Sequence, residues 1–136
     1  MLHAGISELR KAFFLHSSEK NIKENSASRY LLLFYAVESG LKAIYLKSNH
    51  QVKTNQISNQ NLKNSHDLLL WVKELKLPAS ITNGCRPRIK LKRDNSSFDI
   101  SFAHQAWRYC VEIEEKAQHE LVQWLKNVKD WVEEKL

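Results

Sequence analysis

The chain has 136 residues, 43% of them apolar and 26% charged, with a net charge of +6. This composition excludes a disordered, collagenous or disulfide-stapled protein, and the length fits one domain, residues 1–136, with a core of its own. Only three Gly and two Pro are present, so turn chemistry is sparse and long helices are favoured over an all-β design. Cys85 and Cys110 are too few and too far apart for a disulfide framework or a zinc site. They suit a reducing compartment, as small buried or half-buried residues. The start, MLHAGISELRKAF, lacks the basic and apolar runs of a signal peptide. The most apolar stretch, YLLLFYAV at 30–37, ends at Glu38, far short of the roughly 20 residues that span a bilayer. A cytoplasmic protein without membrane contact is expected.

In chain order, residues 4–20 read as an amphipathic helix with Ile6, Leu9, Phe13 and His16 along one stripe. NSAS at 25–28 supplies N-caps for a second helix at 29–47. That helix is apolar around nearly its whole circumference: Leu33, Val37, Leu41 and Ile44 mark one face, and Tyr30, Phe34, Ala36 and Tyr45 fill others. Such a helix has to be surrounded by others. Gly40 inside it predicts a close helix–helix approach. Residues 48–64, polar and aperiodic, read as a long mobile surface loop. Ser65 then caps HDLLLWVKELKL, with Asp67 favourable to the helix dipole, and Pro78 stops that helix.

RPRIKLKR, residues 86–93, holds five cations and no acid. Ile89 and Leu91 alternate with the cations, and Phe98, Ile100 and Phe102 alternate again after RDNSS. Two such runs around an Asp-Asn-Ser turn predict a β-hairpin at about 87–102. Arg86, Arg88, Lys90 and Lys92 then share one face, with Arg93 at the turn. This face either contacts the phosphates of a nucleic acid or protects an edge strand from sheet-to-sheet aggregation. Stacking aromatics are absent from it, so base reading in the manner of an RNA-recognition sheet is not expected. Residues 103–113 fit both helical and strand periods. From about 114, Ala117, Leu121, Leu125, Val128 and Val132 mark a final helix. Trp124 and Trp131 widen its stripe, as core (the first choice for Trp124) or as a dimer seam.

The succession YAVESGLKAIYL, SHDLLLWVKEL and WRYC before a long last helix resembles the HEPN superfamily. These are small helical domains of prokaryotic toxin–antitoxin, phage-defence and nucleotide-handling systems. The resemblance covers roughly residues 26–136 and is carried by Ala36-Val37-Glu38, Leu41-Lys42-Ala43, His66-Asp67-Leu68 and Trp107-Arg108-Tyr109. The hairpin departs from the plainest version of that fold. Family members that cut RNA have an Arg, four to six residues and then a His near the start of a late helix. Two subunits join their pairs there, and a 2′-hydroxyl is activated without metal. Arg108 falls where that Arg belongs, but 113–115 is Ile-Glu-Glu and the next histidine is His119, so the motif is absent. Arg10 and His16 have the right spacing in the wrong helix, a match expected by chance among six Arg and six His.

His66, before a helix, is expected to meet a loop carbonyl or solvent. His104 and Arg108, four apart, point the same way in a helix or a strand and form a phosphate-binding or surface polar pair. Glu38 and Lys42 form a helix-supporting i,i+4 pair. No metal-ligand spacing, Gly-rich phosphate loop or identifiable Ser or Cys nucleophile exists, and no cofactor is expected.

The fold class expected is mainly α, a four- to five-helix bundle with a short β-hairpin insertion, homodimeric as the family implies. The favoured function is non-catalytic: binding of nucleic acid (RNA or DNA) or of a partner protein in a defence or toxin–antitoxin system, through Arg86, Arg88, Lys90, Lys92 and Arg93. One alternative is a metal-independent endoribonuclease with a displaced site built on Arg108, His104 and His66. The other is a scaffold that touches only protein.

Overall fold

The greasiest segment becomes the axis of the fold. In the structure, a computed structural model that describes residues 3–62 and 65–136, helix α2 spans Ala27–Ser48 and is started by Ser26, whose hydroxyl accepts from the Arg29 N–H at 3.2 Å. Leu33, Phe34, Ala36, Val37, Leu41, Ala43, Ile44 and Leu46 of α2 are all buried, each of the larger ones stabilising the fold by about 1.5–3 kcal/mol. Burial on so many faces is possible because α1 (Ile6–Ser18), α3 (Leu68–Glu74), α5 (Ala103–Arg108) and α6 (Glu115–Lys135) all pack against it. The result is a mainly helical bundle with a small two-stranded hairpin.

Gly40 is the crossing point of three helices. A Cβ there would stand 2.5 Å from Val132 Cγ1 on α6 and 2.8 Å from Phe13 Cδ1 on α1. Phe13 and Leu9 carry the buried stripe of α1, with Ile6 and His16 half-buried at its edges. Arg10 is exposed, its guanidinium carbon 5.4 Å from the Phe14 ring centre. The Arg10–His16 spacing match therefore belongs to a helix edge.

The stretch read as a mobile loop at 48–64 is a correction. Lys63 and Asn64 lie outside the described residues, but the rest is pinned to the body. Lys53 bridges Gly5 in antiparallel fashion, the Ile6 N–H donates to Val52 O at 2.9 Å and the Thr54 N–H to Ala4 O at 2.9 Å. A 3-10 turn at Thr54–Gln56 follows, and Thr54, Ile57 and Leu62 are buried.

Helix α3 is shorter than predicted and is capped by Asp67, not Ser65: the Asp67 carboxylate accepts from the Leu70 N–H at 3.3 Å, while Ser65 Oγ accepts from the Asp67 N–H at 3.0 Å. Pro78 does not stop it; it precedes the short α4 (Ala79–Thr82). Strands β1 (Arg88–Lys90) and β2 (Ser97–Asp99) pair antiparallel with Ile89 opposite Phe98. Ile100–Phe102 turns into a 3-10 helix, so Phe102 leaves the predicted apolar face and is 51% exposed. The ambiguous 103–113 segment splits: α5 comes first, then Ile113 pairs with Leu91 beside the hairpin. On α6 the predicted stripe is buried, and Trp124 is core, its indole N–H donating to Ile81 O at 2.8 Å. Trp131 is half-buried below Lys135 Nζ.

With so few glycines, three helices close on left-handed residues that carry side chains. His50, Lys76 and Cys110 have φ of 54°, 55° and 56°. Beyond each, an N–H reaches back to the last turn: Gln51 to Leu46 O, Leu77 to Val72 O and Val111 to Ala106 O, at 2.8, 3.2 and 2.8 Å. This is the turn in which glycine is ordinarily preferred.

Two stability outcomes follow. Helix propensity alone would have Gly40→Ala stabilise by about 1 kcal/mol, but overpacking against Val132 and Phe13 outweighs it, and urea denaturation should show a net loss of roughly 1–2 kcal/mol. Exposed Lys76→Gly relieves the left-handed penalty and should raise stability by up to about 1 kcal/mol in the same assay.

Candidate active site

Three elements bring their polar residues to one place. On α2, Tyr35, Glu38 and Lys42 fall at i, i+3 and i+7, one stripe of the helix. Glu38 is 9% exposed, and a carboxylate so placed is costly unless paired. The segment leading into α3 supplies the partner: His66 Nδ1–H donates to Glu38 Oε1 at 2.5 Å, with Lys42 Nζ 3.8 Å from Oε2. His66, expected to meet a loop carbonyl or solvent, instead meets a carboxylate 28 positions away. Its side chain remains 55% exposed, with Nε2 as the nitrogen left for other work.

Helix α5 adds His104 and Arg108. The His104 ring lies 5.2 Å from that of His66 and 5.0 Å from that of Phe34. It is buried, and its Nδ1 has no hydrogen-bond partner among the described residues. Arg108 is exposed and its Nη2–H donates to the Tyr35 hydroxyl. All three candidates of the ribonuclease reading, Arg108, His104 and His66, are thus part of one cluster, along with Glu38, Lys42 and Tyr35.

The two imidazoles are driven in opposite directions. The hydrogen bond to Glu38 raises the His66 pKa above its ordinary 6.5, against burial and the charges of Lys42 and Arg108. Burial lowers that of His104, helped by the charge on His66. The surroundings thus favour the charged form on the exposed ring and the neutral form on the buried one. Opposed shifts in neighbouring groups are the arrangement that separates acid from base.

The five cations proposed as a nucleic-acid contact sit elsewhere, on and around the hairpin, and carboxylates attend three of them. Arg86 Nε is 3.4 Å from Glu120, Lys92 Nζ 3.6 Å from Glu112 and Arg93 Nε 3.7 Å from Asp94. Arg88 donates to Ser97 Oγ and O at 3.1 and 3.0 Å. Lys90 has no carboxylate within salt-bridge range among the described residues. Arg88 and Lys90 flank buried Ile89 and face outward together.

Half-buried Cys85 has its thiol pushed up to about 12, by burial first and then by the charge of Glu120. Cys110 is exposed rather than buried as expected. Among the described residues no three His, Cys, Asp or Glu side chains are grouped to hold a metal ion, and no helix is long and apolar enough to cross a membrane.

No protein-family model, curated protein or solved structure matches the chain.

Sequence reading missed Tyr35 as a site residue and the Glu38–His66 link. The i, i+3, i+7 polar stripe on an otherwise apolar helix was the available signal.

Glu38→Gln removes the largest influence that raises the His66 pKa, leaving burial and two cations that lower it. In an NMR titration, His66 should move from above 6.5 in the parent to below it in the variant. The linked stability follows the same sign: a raised pKa stabilises fully below about 6.5 and the contribution fades as pH rises through the folded value. The stability gap between parent and variant should be widest in mild acid and close toward alkaline pH.

Proposed function

We propose that the chain is a metal-independent endoribonuclease whose working group is His66. The observation that carries this is the anchoring of an exposed imidazole, through Nδ1, on a nearly buried carboxylate, with an exposed guanidinium in the same cluster. A histidine oriented in this way presents Nε2 as a general base, its basicity strengthened by the carboxylate behind it. In the reaction proposed, Nε2 takes the proton of a ribose 2′-hydroxyl and the oxygen attacks the adjacent phosphorus. The P–O5′ bond breaks, and the departing oxygen takes its proton from water. The products are a 2′,3′-cyclic phosphate and a 5′-hydroxyl. Arg108, with Tyr35 holding its guanidinium, balances the negative charge that grows on the non-bridging oxygens. His104 is a positioning residue: it backs the His66 ring and, being neutral, does not compete with it for charge.

The HEPN resemblance supports the same chemistry reached by another route, with His66 acting in place of the missing histidine of the late helix. Under that reading the protein works as a homodimer in a prokaryotic defence or toxin–antitoxin system. The basic stretch holds RNA by charge, a weaker role than first expected because three of its cations already lie beside carboxylates.

The decisive measurement is cleavage of a single-stranded RNA by purified protein in EDTA. The parent should release cyclic-phosphate ends, at a rate that climbs with pH through the raised His66 pKa, since the base must be neutral. His66→Ala should lower the rate by about 100-fold or more, the usual worth of a general base, and Arg108→Ala should lower it while moving the pH profile upward, since the guanidinium's charge holds the His66 pKa down. RNA retained without cleavage, and released by salt or by Arg88→Glu with Lys90→Glu, would instead establish the non-catalytic binding reading.

A further inference from the structure

Beside the acid–base cluster, on the neighbouring face of α5, lies an open and largely apolar trough of about 420 Å³. Its walls include Leu91, Phe98 and Val111, and its rims are Phe102, Gln105 and Tyr109, with Arg93 the single charged side chain. Phe102 is 51% and Tyr109 68% exposed. Neither ring stacks on another aromatic side chain among the described residues. Two large rings left in water beside a cation do little for the fold.

We infer that this trough is a nucleobase subsite, where an unpaired base next to the scissile phosphate stacks on Tyr109 and Phe102. This rests on the ribonuclease reading and extends it to single-stranded substrates. Three features favour a base over the apolar side chain of another protein. The trough is lined by no acid and by one arginine, which suits a ligand carrying phosphates. Among the described residues Arg93 is tied only to exposed Asp94, 3.7 Å away, and exposed pairs of this kind are weak enough for a phosphate to displace. Gln105, on the rim, offers both an amide donor and an acceptor for a base edge.

The trough also adjoins the cluster along α5. His104 and Arg108 lie on one face of α5, and Phe102, Gln105 and Tyr109 on the next. Arg108 joins them, since the hydroxyls of both Tyr35 and Tyr109 favour its charge. A strand of RNA that stacks a base on Tyr109 would bring its adjoining phosphate to Arg108.

The test separates binding from cleavage by using an oligoribonucleotide with every 2′-hydroxyl methylated, which cannot be cut, and an abasic strand of equal length. Fluorescence anisotropy should show Phe102→Leu and Tyr109→Leu each weakening the base-bearing strand by about tenfold, within the range of base–aromatic stacking. Tyr109→Phe should restore affinity, and the abasic strand should bind all variants alike. Equal loss on both strands, or no loss on either, overturns the subsite. So does sedimentation in which Phe102→Leu dissociates a dimer while strand affinity holds, because the trough would then join two copies. Cleavage of unmodified RNA by the parent is scored separately, so the subsite can fail while the nuclease reading stands, or the reverse.

Discussion

The carboxylate of Glu38 sits on a helix that has neighbours on almost every side, and this placement organises the polar chemistry of the molecule. A charge in such a position has to be matched by partners that the packing brings to it. Lys42 comes from the next turn of the same helix, but its amine is 3.8 Å away and cannot satisfy the carboxylate alone. The close partner is His66, delivered by the stretch just before α3, where the Asp67 cap fixes the start of the helix. One buried acid therefore sets the tautomer and direction of an exposed imidazole. The orientation of His66 is a consequence of how α2 and α3 pack, rather than of anything local to His66.

The parts legible in the sequence were those with local periods. The all-round apolarity of α2 announced a central helix, and Gly40 announced the crossing where Phe13 and Val132 now meet. The stripe of α6 and the two alternating runs of the hairpin were equally readable. What escaped had its cause elsewhere in the chain. Residues 48–62 have no period because they are held by Ala4, Gly5 and Ile6, about 50 positions earlier. Ile57 and Leu62 looked like stray apolar residues for the same reason. The end of α3 was placed at Pro78 because the usual glycine signal is missing, its place taken by Lys76. The candidate site was half legible: His104 and Arg108 share a face under either period, but nothing near His66 pointed to Glu38.

Charge was legible as composition and not as electrostatics. RPRIKLKR is cationic in any conformation, yet Glu112 and Glu120, which moderate it, arrive from the segment before α6 and from α6 itself. These pairs are exposed and each contributes little to stability, about 0–1 kcal/mol. A polyanion could exchange with them at small cost, which gives the hairpin attraction without a preformed register. Positional selectivity has to come from somewhere more rigid. The helix α5, packed on α2 through Ala103, Ala106 and Trp107, is the rigid element nearest the acid–base cluster, and it presents both the guanidinium and the exposed aromatic rim.

The separation of the two histidines gives the cluster its chemical direction. With ring centres 5.2 Å apart, both cannot carry a proton without mutual repulsion, and the surroundings decide which one does. The ring that reaches solvent also has the carboxylate, so it attracts the proton; the ring enclosed by Phe34 and α5 is buried, has no partner for Nδ1 among the described residues, and is pushed toward the neutral form. The exposed ring is thus the more basic of the two, and the buried one the less. Had Glu38 faced His104 instead, the charge would be stabilised where no ligand could use it, and the same six side chains would make only a buried ion pair. The chemistry depends on which imidazole the buried acid selects, and the packing of α3 against α2 makes that selection.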